Sequence, residues 1–167
     1  MVKKRIQILV RLALLVAVEV VLSRFFSIST PINKIGFAFV PLALAGTLYG
    51  PWAGLGVGAV ADLLGATLFP SGPFFPGFTL TTALKGLVFG LCLHNGRAGN
   101  WRAITLAVCI NAIVFSLGLN TLWIHMLYGS PYHILLISRI VQELVVIPVQ
   151  IVVLRVVGAA KIQRALA

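Results

Sequence analysis

At 167 residues, 60% of them hydrophobic and only 10% charged, with a mean hydropathy of +1.07, the chain carries more apolar side chains than a small soluble core can bury. That excludes a disordered chain and a soluble globule; lipid is the expected outer solvent, and at roughly 20 residues per span the length holds about six transmembrane helices in one domain, residues 1–167. The net charge of +10 comes from 13 Lys and Arg against 3 Asp and Glu, gathered near the ends (Lys3, Lys4, Arg5 and Arg11; Arg155, Lys161 and Arg164) rather than on a basic helix or aromatic platform, which points to anionic lipid and away from nucleic acid.

The first helix is expected from Ile6 to Phe26. It lacks a small-residue cleavage site with a polar sequel, so it reads as a retained helix and not a signal peptide. Ser27–Asn33, around Pro31, closes it as a loop. The second helix, from Ile35, ends at Gly50, where Gly50-Pro51 forces a turn; at about 22 Å it is short for a full span. The third runs from Trp52 to Phe69. Pro70-Ser71-Gly72-Pro73-Phe74-Phe75-Pro76-Gly77, with three prolines and two glycines, cannot be helical. The fourth helix covers Phe78–Leu93, and a polar loop, His94–Asn100, follows. The fifth covers Trp101–Met126, the turn Tyr128-Gly129-Ser130-Pro131 reverses the chain, and the sixth covers His133–Ala160. The expected fold class is an all-α integral membrane protein with six transmembrane helices. An even number of spans returns both termini to one side, and their Lys/Arg load, with Arg97 and Arg102, makes that side the cytoplasm.

Ionisable residues inside a bilayer are costly and need a partner or a purpose. Counted from the helix ends, Glu19, Arg24, Asp62, Lys85, Asn120, Thr121, Arg139, Gln142 and Glu143 all fall in the outer half. The inner half holds little besides Asn111 and Gln150. A channel or proton relay would carry polar groups through the full depth. A single outer layer instead suits a cavity open to the outside and closed at its floor, under the breaker-rich loops Ser27–Lys34 and Pro70–Gly77 as a lid. Purely structural pairing is the other reading: Asp62 with Lys85 at matching depth, and Arg139 with Glu143 four residues apart on one helix. Arg24 has a further alternative, snorkelling to the headgroups.

Small residues mark packing faces. Ala13 and Ala17 share a face of the first helix. Gly46/Gly50, Gly54/Gly58 and Gly86/Gly90 are GxxxG pairs, expected to pack within the chain. Gly54-Leu55-Gly56-Val57-Gly58 is no phosphate loop, since no strand precedes it and no Lys-Ser/Thr follows. His94, His125 and His133 lack HExxH spacing, GxSxG is absent, and Cys92 and Cys109 form no CxxC. No enzyme, metal or cofactor is expected.

Two blocks carry a family resemblance. Lys34-Ile35-Gly36-Phe37-Ala38-Phe39-Val40-Pro41-Leu42-Ala43-Leu44-Ala45-Gly46 resembles the second-helix block of the folate-specific substrate-binding (S) components of ECF-type vitamin transporters. Ala61-Asp62-Leu63-Leu64-Gly65-Ala66-Thr67-Leu68-Phe69-Pro70-Ser71-Gly72-Pro73-Phe74-Phe75-Pro76-Gly77-Phe78-Thr79-Leu80-Thr81 resembles the block spanning the third and fourth helices, and is the more specific of the two. Ala13-Leu14-Leu15-Val16-Ala17 is similar to the family's AxxxA element on helix 1. The resemblance implies a cell-membrane protein that captures folate outside and docks, through Ala13 and Ala17, on a transmembrane T subunit carrying two ATPases, which hydrolyse the ATP.

Folate's chemistry then selects among the polar residues. The donor edge of the pterin ring suits a carboxylate, Asp62 first and Glu143 second. Its flat face suits Phe37, Phe39 or Trp123. The glutamate dianion calls for Arg24, Lys34 or Arg139, with Lys85, Asn120 and Thr121 as further candidates. Lys34, Pro70, Ser71, Gly72, Pro73, Phe74 and Phe75 are the expected gating residues. An S component for another heterocycle, or a membrane structural protein without a transported ligand, are the competing readings.

Overall fold

Apolar runs bounded by Pro and Gly fold here into a helical bundle. The computed structural model describes residues 2–29, 34–70 and 72–159. Five helical stretches are long and apolar enough to cross a membrane: Lys3–Arg24, Pro51–Leu68, Pro76–Leu93, Trp101–Tyr128 and Tyr132–Gly158. The helix Phe39–Tyr49 is apolar but only 11 residues long.

Helix α1 (Val2–Arg24) leads into a two-stranded antiparallel hairpin, β1 (Ser27–Ser29) and β2 (Lys34–Gly36), in which Ser27 pairs with Gly36. This corrects the expected loop and the expected helix start at Ile35. The close pairing requires glycine at 36, where a Cβ would stand 2.8 Å from Cβ of Ser27. Helix α2 (Phe39–Tyr49) therefore begins four residues late. It stops at Gly50, whose φ of 95° disfavours any side chain, and Pro51 starts α3 (Pro51–Leu68) at the position where a missing N–H costs least.

Helix α4 (Pro76–Leu93) packs on α3 as the most extensive pairing in the molecule, and the glycines explain it. A Cβ on Gly54 would lie 2.3 Å from the carbonyl oxygen of Gly86, so the two backbones are in contact. The glycine pairs thus join α2, α3 and α4 within the chain. Ala13 and Ala17, by contrast, are both exposed on α1, with no helix among the described residues covering them.

The expected fifth helix is three pieces in line: α5 (Trp101–Ile110), a π-helical stretch (Asn111–Asn120) and α6 (Thr121–Tyr128). Helix α7 (Tyr132–Ala159) closes the fold, with Pro148 in its interior. The apolar core sits toward one end and includes Leu42, Ala43, Phe89, Leu93, Ile104, Val108 and Leu154. Large apolar side chains such as Leu9, Leu14, Leu144, Val145 and Val152 point outward at more than 60% exposure, as on a lipid-facing surface. At the other end the helices part around a cavity.

Candidate ligand site

The cavity has a volume of about 360 Å³, within the range of small-molecule sites. Leu42 and Phe89 belong both to the core and to the lining, so the packed end of the bundle forms the cavity's floor. Gly72, Pro73, Phe74 and Phe75, from the connection between α3 and α4, line the opposite end. From Pro76 to Phe89 helix α4 rises about 20 Å, which sets the scale of the depth.

Two polar clusters face the space. Nearer the mouth, the guanidinium of Arg24, the last residue of α1, has Nη2 4.0 Å from Oδ1 of Asp62 on α3. The hydroxyl of Thr79 on α4 donates to Oδ2 of Asp62 at 2.7 Å. Gly65, one turn beyond Asp62, gives Arg24 its berth, since a Cβ there would meet Nε at 2.7 Å. Arg24 therefore turns inward instead of snorkelling to the headgroups. Glu19, 4% exposed, lines the same wall.

Deeper, Ser116 is the hub. Its hydroxyl donates to Oε1 of Glu143, and its carbonyl accepts from Nη1 of Arg139 at 2.8 Å. Arg139 and Glu143 are each 7% exposed, and Lys85 stands within electrostatic range of both. Such partners offset the desolvation of buried charges. The π-helical backbone makes this arrangement. In an α-helix, residues five apart are rotated by about 140°; bonding from i to i+5 returns them to nearly one face. Asn111, Ser116 and Asn120 consequently all line the cavity.

Of the expected ligand-binding residues, Arg24, Phe39, Asp62, Lys85, Asn120, Arg139 and Glu143 come together on the lining. Thr121, Trp123 and Phe37 do not. Thr121 is fully buried, its hydroxyl directed at the carbonyl of Ser116 at 3.4 Å. Trp123 stands behind the wall: its Nε1 donates to Thr81 Oγ1 at 3.0 Å, and its ring backs Phe75 with centroids 5.4 Å apart. Phe37 is 49% exposed beside Phe39. Of the gating residues, Pro70 is exposed and off the lining. Ser71 and residues 30–33 lie outside the described residues, as does the side chain of Lys34, whose backbone pairs in β2.

Sequence reasoning did not single out Ser23, Ser116 or Tyr128, and left Glu19, Gln142, Asn111 and Gln150 out of the ligand-binding set, although all of them line the cavity. Asn111 and Gln150, counted as inner-half residues, carry the polar lining down to the floor. Described charged residues on the lining balance, Glu19, Asp62 and Glu143 against Arg24, Lys85 and Arg139. Among the described residues no group of His, Cys, Asp or Glu is arranged to hold a metal ion. The site is a cavity of small-molecule size lined by charged, polar and aromatic side chains.

Comparison with known proteins agrees with this geometry. The family model described as "ECF transporter, substrate-specific component" matches residues 7–158. A folate transporter FolT of Clostridium novyi is 36% identical over 151 residues, covering 90% of this chain and 87% of that protein. A folate transporter FolT of Leuconostoc mesenteroides is 32% identical over 147 residues, covering 85% and 79%. The solved structure described as "Crystal structure of FolT bound with folic acid" superposes with a TM-score of 0.84 at 32% identity, over 88% of this chain and 89% of that one.

Proposed function

The chain belongs to the family of ECF transporter substrate-specific components, and on that premise we propose that it is a high-affinity folate-binding S component, capturing folate outside the cell and delivering it through a T subunit and two ATPases. The family is one of transport components and not of enzymes. ATP hydrolysis falls to the partner subunits, and no cofactor is required beyond the transported ligand. The reading places residues 1–167 as one membrane-embedded domain in the cell membrane, with six spans and both termini cytoplasmic. In that topology α2 is the short sixth span, and the hairpin and the 70–77 connection face outward as the lid.

The observation that carries this reading is the graded cavity: an arginine at the mouth, a buried carboxylate midway and a neutral floor. The glutamate tail of folate is a dianion and belongs at Arg24. Asp62, which accepts from Thr79 and faces Arg24, is the first carboxylate for the donor edge of the pterin, and Glu143, which accepts from Ser116, is the second. Glu143 lies one level deeper, and Phe39 and Phe75 offer faces for stacking.

Docking on the T subunit is assigned to Ala13 and Ala17, which supply a smooth exposed face where two helices pack closely in lipid. The test of the ligand assignment is to purify the protein in detergent from cells grown with mixed vitamins and to identify the co-eluting compound by absorbance and mass. Folate is expected; riboflavin or a different pterin in its place would move the protein to another specificity, and no bound compound with no uptake phenotype would favour a structural role.

A further inference from the structure

Asn111 is a buried polar group that the transport reading leaves unused. It opens the π-helical stretch, is 4% exposed, and lines the deep end of the cavity with Leu42, Phe89 and Gln150. Among the described residues, neither its Nδ2 nor its Oδ1 has a hydrogen-bond partner. An amide buried with both groups unpaired destabilises the protein that carries it, whereas an apolar side chain of similar shape would not. The stretch of backbone that aims Asn111 inward is the same one that aims Ser116 and Asn120, so its position follows from the construction of the wall.

We propose that Asn111 is a specificity-determining residue for the ring end of the ligand, its carboxamide making a pair of hydrogen bonds with the edge of a heterocycle that presents a donor beside an acceptor. The ligand's identity as a folate rests on the preceding reading. A carboxamide offers N–H and C=O side by side. Its complement is a lactam edge (ring N–H beside a carbonyl) or an amidine edge (ring nitrogen beside an amino group), and the 2-amino-4-oxo ring of a pterin has both. A carboxylate from the glutamate tail has acceptors only and would leave Oδ1 unpaired against an anion. The neighbours point the same way: on α4 Lys85 precedes Phe89, and on α7 Glu143 precedes Gln150, so on both helices the charges stop short of the floor. A neutral heterocycle fits there and a dianion does not.

The test titrates folic acid into the wild-type protein first, which examines the ligand reading by itself. Asn111→Leu and Asn111→Ala are then titrated with folic acid, with 2-amino-4-oxopteridine (the ring alone) and with p-aminobenzoylglutamate (the tail alone), and unfolding midpoints are recorded without ligand. Both variants are expected to lose about 10- to 100-fold in affinity for folic acid, the same factor for the ring, and nothing for the tail. Ligand-free Asn111→Leu is expected to unfold at or above the wild-type temperature. Wild-type affinity for the ring in either variant, or equal losses for ring and tail, overturns the proposal. So does a ligand-free Asn111→Leu protein that unfolds well below wild type or fails to fold, because Asn111 would then serve the fold. If the wild-type protein ignores folic acid and binds another heterocycle with a donor–acceptor edge, the folate reading fails, and the same variants titrated with that compound decide the role of Asn111 separately.

Discussion

Thr79 on α4 donates its hydroxyl to Oδ2 of Asp62 on α3 at 2.7 Å, while Oδ1 of the same carboxylate stands 4.0 Å from Nη2 of Arg24 on α1. One carboxylate thus joins three helices at the upper wall of the cavity. The residue expected first for the pterin's donor edge therefore also stands as a brace beside Arg24 on the cavity lining.

The brace has a measurable strength. Thr79→Val keeps the shape of the side chain and removes the donor, and a hydrogen bond to a charged, part-buried acceptor contributes about 1.5–3 kcal/mol. Thermal unfolding in detergent is expected to show a loss of that size. A change under about 0.5 kcal/mol would mean that Asp62 is held by other groups.

Arg24→Ala should weaken folic acid by about 1.5–3 kcal/mol while changing the affinity of a pterin without the glutamate tail much less. Calorimetry with the two ligands separates the outcomes. Equal losses would show that Arg24 maintains the cavity through Asp62 and does not meet the tail.

The lid is tested by distance. Ile35 in β2 and Gly72 before α4 are both exposed, so each accepts a spin label. Folic acid is expected to shorten and narrow the distance distribution between them as the hairpin and the 70–77 connection close. An unchanged distribution would remove the lid from the account.

Much of this was legible in the residues. Apolar runs, the Gly50-Pro51 break and the 70–77 breaker segment located the helices, because Pro and Gly act locally wherever they stand. Counting depth from helix ends gathered Arg24, Asp62, Lys85, Arg139 and Glu143 correctly, because a buried charge in lipid has few places to go. What escaped depended on geometry with no local signal. Asn111–Asn120 reads as ordinary apolar helix, and only i-to-i+5 bonding brings Ser116 beside Glu143. The hairpin Ser27–Ser29/Lys34–Gly36 is too short for strand periodicity to show. Trp123, a natural stacking candidate by composition, is drawn out of the cavity by its bond to Thr81.

Ala13 and Ala17 lie one turn apart on the exposed face of α1, away from the lining. Replacing both by Trp is expected to leave folic acid binding intact and to abolish assembly with the energising subunits and folate uptake. A double variant that transports at the original rate would show that another face docks; one that loses binding would show that this face supports the fold.

The most direct test of the account is calorimetry of the purified protein with folic acid, riboflavin, thiamine and biotin, each titrated under the same conditions. Saturable binding of folic acid at one site, with no heat from the other three, is the predicted result; saturable binding of any of the others with none of folic acid would contradict it.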